Sequence, residues 1–276
     1  MKNLDFASHR QQYSIDEQTI SYIDIGQGPV LLFGHSYLWD AHMWAPQIEL
    51  LSQQYRCIVP DLWGHGLSTA MPSKTRNLRD ISAQMLTLMD ALEVSEFSII
   101  GLSVGAMWGA ELALLAPARV KRLVMLNSFI GFEPEITRDK YYAMLDVIKH
   151  EQAISPALRA AIIPLFFADK ATPLLVEQFD LALAHISNEQ IDSLYRLGKM
   201  IFGRRDTLEE VENLTLPCLI MAGVQDKARS VLESYLMHDA IDGSKFVHIP
   251  DAGHISTLEQ PEFVNQHLIE FLTATN

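Results

Sequence analysis

Gly101-Leu102-Ser103-Val104-Gly105 puts a serine between two glycines, directly after an apolar run and directly before a helical pattern. A nucleophilic serine needs that context. The strand must turn sharply into the helix so that the hydroxyl projects, and small flanking residues leave room for the turn and for a substrate to reach the backbone. The helix start behind the serine favours negative charge developing beside it. The chemistry open to such a serine is attack on a carbonyl carbon.

A serine hydroxyl is a weak nucleophile until a base takes its proton. Among ten histidines, His254 is best placed, because Asp251-Ala252-Gly253-His254 forms a turn between the run 245–249 and the last helical segment. Ser103 and His254 then share the carboxyl edge of a parallel sheet, where ligands bind in open α/β folds. The acid that orients the imidazole falls between serine and histidine in chain order. Asp226 reaches the same edge from the run 218–222 through Gly223-Val224-Gln225, whereas Asp251 is too close to His254 along one turn. The other position for an acid, after the run 122–126, reads Asn127-Ser128.

Attack would create a tetrahedral anion that needs two backbone donors. Val104 supplies one N–H; Tyr37, in the loop Gly34-His35-Ser36-Tyr37-Leu38-Trp39, supplies the other. Trp39, Met107, Trp108, Phe129 and Phe132 are the expected apolar pocket wall, which favours a small ester or lactone over a sugar or phosphate. Asp61, His65 and Ser68 repeat the same three side-chain types within Asp61-Leu62-Trp63-Gly64-His65-Gly66-Leu67-Ser68. Their glycines and short polar groups read instead as a tight structural loop after a strand.

Alternating strands and helices must position these groups. Strands are expected at 20–25, 30–33, 56–59, 97–100, 122–126, 218–222 and 245–249, several of them continuous apolar runs suited to a sheet covered on both faces. Helices are expected at 80–92, 104–115, 229–237 and 261–272. The alternation predicts an α/β fold, a mostly parallel twisted sheet with helices on both faces. It breaks over 132–213, where 141–148, 156–167 and 174–186 pattern as helices and no strand is evident. Pro134, Pro156, Pro164 and Pro173 punctuate that stretch into short helices. Residues 132–213 are therefore expected to be an inserted helical cap, with 1–131 and 214–276 forming the core.

Composition narrows the function classes. Hydrophobic residues at 49% and charged residues at 20% describe a globular chain. With 34 acidic against 21 basic residues the formal charge is −13, a field that repels nucleic acid. The densest basic cluster, Arg204-Arg205, runs at once into acids. The N-terminal residues lack the apolar run of a signal peptide and no stretch is long enough to span a membrane, so a cytoplasmic protein without membrane partners is expected. Cys57 and Cys218 fall in separate apolar runs and read as reduced core thiols. His150-Glu151-Gln152-Ala153 begins like a zinc helix, but Ile154 replaces its second histidine; Gly26-Gln27-Gly28 begins like a dinucleotide fingerprint, but Leu31 replaces its third glycine. No metal or cofactor is implied, and the expected partner is a small-molecule substrate.

Together, His35-Ser36-Tyr37 with Met43-Trp44, the 61–68 loop, Gly101–Gly105 and Asp226 with Gly253-His254 resemble the α/β-hydrolase superfamily, in a capped form, over nearly the whole chain outside the cap. The segment Gly253-His254-Ile255-Ser256-Thr257-Leu258-Glu259-Gln260-Pro261 is similar to that of 3-oxoadipate enol-lactonases and related small esterases. The resemblance implies a serine hydrolase acting through an acyl-enzyme. A thioester or carbon–carbon-bond hydrolase with the same triad, or a slow-turnover ligand receptor on the same fold, stays open. Superfamily members that use an aspartate nucleophile, the epoxide hydrolases and haloalkane dehalogenases, are set aside by Ser103. Ser36 departs from the family's His-Gly at that position; if a positive φ is required there, Ser36 bears strain or the loop shifts.

Overall fold

Strands that are apolar on both faces must be covered on both faces, and this requirement organises the molecule. The computed structural model describes residues 5–274; the reading of the extreme N-terminus above falls largely on residues 1–4, outside the described residues. Strands β1 (Arg10–Ile15), β2 (Gln18–Ile25), β3 (Val30–Gly34) and β4 (Arg56–Pro60) are joined by α1 (Ala45–Leu51) between the last two. Then come α2 (Leu78–Ala91), β5 (Phe97–Leu102), α3 (Val104–Leu115) and β6 (Val120–Leu126). Five helices follow: α4 (Glu135–Glu151), α5 (Pro156–Phe166), α6 (Pro173–Ala184), α7 (Asn188–Phe202) and α8 (Leu208–Val211). The chain ends with β7 (Cys218–Gly223), α9 (Val231–Ala240), β8 (Lys245–Ile249), α10 (Ser256–Glu259) and α11 (Pro261–Thr273).

The eight strands form one sheet in the order β1-β2-β4-β3-β5-β6-β7-β8. β1–β2 and β2–β4 are antiparallel and every later pairing is parallel, so the fold is the expected α/β class. All residues of β5 and β7 are buried. Because side chains alternate across a strand, Ile99 joins the core on one face and Ile100 the core on the other. Full burial of one such side chain contributes about 1.5–3 kcal/mol. Among the described residues no helix is long and apolar enough to cross a membrane.

Strand β1 was not expected. Its sequence is polar and half exposed, and it pairs back on β2 through Asp16-Glu17, both at positive φ (48° and 66°), a hairpin turn with no glycine or asparagine to signal it. The stretch between β6 and β7, expected to be helical, carries helices joined by short turns and no strand among the described residues. Pro156 and Pro173 sit in the first turns of α5 and α6, and Pro134 precedes α4. Pro164 does not break the chain as expected and lies inside α5. Helix α7, whose buried stripe runs Ile191, Leu194, Leu197 and Ile201, packs along α4 with Lys149–Asp192 and Lys199–Asp146 ion pairs at 2.6 and 2.9 Å.

Candidate active site

Ser103 stands between β5 and α3 at φ 56°, ψ −120°. This is a backbone region that a side chain adopts only under constraint, at a cost of order 1–3 kcal/mol. The constraint is visible on both sides. Ser103 N–H donates to Leu126 O at 2.9 Å, and Ser103 O accepts from Ala106 N, Met107 N and Ser128 Oγ at 3.0, 3.1 and 2.8 Å. A Cβ on Gly105 would lie 2.0 Å from Gly34 O, so glycine at 105 lets the β3 loop press against the start of α3.

His254 follows β8 on a turn in which Asp251 takes φ 50°. Its Nδ1 is 2.9 Å from Asp226 Oδ2, and both side chains are buried. The other carboxylate oxygen of Asp226 accepts the N–H groups of Ala228 and Arg229 at 2.8 and 2.9 Å. Asn127, at the position considered for an alternative acid, donates Nδ2 to Asp226 Oδ2 and to Gly253 O, both at 3.0 Å, and accepts from Ser256 Oγ at 2.6 Å. It therefore joins the acid loop to the histidine loop. That contact has no signature in the sequence beyond an asparagine at a strand end.

Ser103 and His254 line one cavity of about 80 Å³, with Ser36, Tyr37 and Met107 from the core and Met144, Ile162 and Phe166 from α4 and α5. Neither Ser103 Oγ nor His254 Nε2 has a hydrogen-bond partner among the described residues, so the serine–histidine contact is not closed here. In substrate-free enzymes such contacts commonly tighten only when substrate arrives. The Tyr37 and Val104 N–H groups are likewise without partners among the described residues.

Of the expected pocket residues, Met107 lines this cavity and four do not. Trp39 faces the neighbouring depression, where it stacks on Phe179 at 4.6 Å between ring centres. Trp108, a helix residue about 100° round from Met107, is fully buried, and its ring would meet a Cβ on Gly34 at 2.6 Å. Phe129 is buried with its ring 5.8 Å from the Arg204 guanidinium, and Phe132 is 60% exposed. Sequence patterning identified apolar residues close to the site in the chain, but the direction of each side chain depends on tertiary packing.

Ser36 is not strained. The positive φ of this loop falls on Leu38, at 68°, whose N–H donates to His65 Nε2 at 3.1 Å. His65 Nδ1 is bonded to Trp63 O at 3.0 Å, while His35 bonds Ser36 O and the Leu62 N–H at 2.7 and 2.8 Å. Burial, with neighbouring His35 as a second cause, holds His65 down to about 3, and burial lowers His35 as well. Both rings are neutral brackets for the loop that carries Tyr37.

The helices above the sheet edge are tied directly to the site. Phe166 O accepts the N–H groups of His254 and Ile255 at 3.0 and 3.1 Å, and Tyr37 Oη donates to Leu194 O at 2.8 Å. Glu259 accepts from Gly253 N and Ala168 N, both at 2.8 Å, so it contacts the histidine loop and the end of α5 at once; burial raises its carboxyl above the usual range. Arg229, which also lines the cavity, pairs with Glu133 at 2.6 Å, and Glu133 accepts from Arg204 at 2.8 Å. Burial, the largest single influence, would raise Glu133, but the charges and hydrogen bonds of Arg229 and Arg204 together outweigh it and lower its carboxyl.

Comparison with known proteins agrees with this architecture. A family model described as alpha/beta hydrolase fold matches residues 29–261. The chain is 27% identical to 3-oxoadipate enol-lactonase 1 of Acinetobacter baylyi over 241 residues, 85% of each chain. It is 26% identical over 249 residues to carboxylesterase YbfK of Bacillus subtilis, covering 88% of this chain and 80% of that one. The crystal structure of the enol-lactonase from Burkholderia xenovorans superposes with a TM-score of 0.84 at 24% identity, covering 96% of this chain and all (100%) of that chain. The chain belongs to the alpha/beta hydrolase fold family and is a hydrolase of that family.

Proposed function

We propose that the protein hydrolyses a small, largely apolar carboxylic ester or lactone through a Ser103–His254–Asp226 triad and an acyl-enzyme. The observation that carries this reading is the 2.9 Å His254–Asp226 contact beside an apolar cavity into which the strained Ser103 also opens. In the proposed reaction Ser103 Oγ bonds to the carbonyl carbon, its proton passes to His254 Nε2, and Asp226 stabilises the imidazolium. The carbonyl electron pair moves onto oxygen, where the N–H groups of Tyr37 and Val104 receive it. Collapse expels the alcohol with the proton from His254. Water, activated by the same histidine, then releases the acid.

The helices 132–213 act in this reading as a cap that excludes water and sizes the acyl group. The relatives named as a lactonase and a carboxylesterase support the ester class. Free, buried Cys57 and Cys218, each pushed up to about 12 by burial, suit the proposed cytoplasmic location, where thiols stay reduced. The test is a panel of short p-nitrophenyl esters, simple lactones and an enol-lactone, run beside fluorophosphonate labelling with mass-spectrometric mapping. Turnover with the label on Ser103 is expected. Label on another serine, or no turnover of any ester or lactone, would overturn the reading.

A further inference from the structure

Ser36 is fully buried, yet its hydroxyl has no hydrogen-bond partner among the described residues. Its backbone is committed: the N–H donates to Met43 Sδ at 3.3 Å, and the carbonyl accepts from His35 Nδ1 at 2.7 Å and from Trp39 N at 3.2 Å. Ser36 lines the same cavity as Ser103, Tyr37 and His254. A buried hydroxyl left without a partner costs stability. Here it belongs to a rigid loop beside the nucleophile, where a donor is useful once substrate enters.

We propose that the Ser36 hydroxyl is a third donor to the substrate carbonyl oxygen, added to the N–H groups of Tyr37 and Val104. This rests on Ser103 being the nucleophile. As the Ser103 Oγ–carbon bond forms and the carbonyl electron pair moves onto oxygen, the Ser103 proton goes to His254. The Ser36 proton stays on its own oxygen and only hydrogen-bonds to the new anion. Because the cavity is lined mostly by apolar side chains and the loop is held by His35 and Met43, the donor needs little reorganisation and gains strength as charge develops. Its contribution therefore falls on the transition state and not on the bound ester.

The experiment compares wild type with Ser36→Ala on a short p-nitrophenyl ester. The expected result is a fall in kcat of about 10²-fold with KM within about threefold. Binding of a trifluoromethyl ketone, which forms a tetrahedral adduct, should weaken by a similar factor. The melting temperature should be unchanged or higher, since the substitution removes an unsatisfied buried hydroxyl; a merely structural serine would give the opposite split. A kcat within about threefold of wild type overturns the proposal. If Ser36→Ala does not fold, Ser36→Cys keeps the size with a weaker donor and should give an intermediate loss, with wild-type kcat again overturning it. Failure of the underlying reading looks different: the fluorophosphonate label on wild type then maps away from Ser103.

Discussion

Two clusters in this molecule contain an aspartate, a histidine and a serine, and they differ in what their polar atoms are doing. In the 61–68 loop every such atom is consumed locally. Asp61 accepts from Ala41 N at 2.8 Å, from Leu67 N at 3.0 Å and from Arg10, while Ser68 donates to Asp61 O and accepts from Ser21 N at 2.7 and 2.8 Å. Both nitrogens of His65 are bonded to backbone groups. In the other cluster, Ser103, Asp226 and His254 come from the ends of three strands, and the hydroxyl and His254 Nε2 are left facing a cavity. Residue type and proximity do not distinguish the two; uncommitted atoms at a shared surface do.

The largest effect should separate them outright. Ser103→Ala should lower kcat/KM for a short ester by at least about 10⁴-fold with the fold intact. Ser68→Ala should keep the activity of the folded protein within about threefold of wild type. Its cost is stability, about 1–3 kcal/mol, because Ser21 N–H loses its acceptor. Ester kinetics and thermal melts on both variants decide this, and the comparison breaks if Ser68→Ala is the inactive one.

The two acids come next. Asp226→Asn should cost about 10³–10⁴-fold in kcat with KM little changed, because the imidazole loses its orienting carboxylate. Asp61→Asn removes a buried partner from Arg10 and should instead cost about 3–5 kcal/mol of stability. Urea melts alongside kcat and KM would expose a wrong assignment if Asp226→Asn stayed within about threefold.

The placement of Ser103, Asp226 and His254, the proposed triad, at strand ends was legible in the sequence because the apolar runs mark those strands clearly, and β8 spans the residues expected of it. The supporting contacts were not legible. Asn127, Glu259 and Arg229 act across 99, 91 and 96 residues to Asp226, Ala168 and Glu133, and no local pattern encodes such pairings. Strand β1 was hidden for a different reason, since an edge strand with one solvated face carries few apolar residues. Ser36 was noticed as a departure, but the strain it raised lies at Leu38, and only the folded loop shows how His65 absorbs it.

The histidine of the 61–68 loop should also make stability depend on pH. His65 is held down to about 3 by burial, so the unfolded chain binds its proton near the ordinary value and the folded chain does not. Its contribution is fully present above about pH 6.5 and is lost as pH falls toward 3. Stability should therefore decline on acidification by up to about 1.4 kcal/mol per pH unit from this group, with His35 acting in the same direction. Denaturant melts between pH 8 and 4 should show a shallower slope in His65→Gln than in wild type. An unchanged slope would mean that other groups carry the acid sensitivity.

The smallest effect concerns the proposed cap and asks which of two adjacent phenylalanines would meet the substrate. Phe166 lines the cavity, and its ring is 5.3 Å from that of His254, edge to face. Phe167 is turned away, with its ring against Trp39 and Phe179 at 6.3 and 5.7 Å. Both are buried, so truncating either should cost about 3–5 kcal/mol of stability. Only Phe166→Ala adds volume where the acyl chain would lie. A methylene in an apolar pocket is worth about 1–3 kcal/mol of discrimination, so the ratio of kcat/KM for a hexanoyl over an acetyl ester should rise several-fold in Phe166→Ala and stay near wild type in Phe167→Ala. Reactivity of Ser103 toward a small fluorophosphonate should persist in both, since the core alone builds the elbow. Equal shifts in the two variants would mean that the cap acts through its overall stability. No shift in either would place acyl selection on the core wall, beginning with Met107.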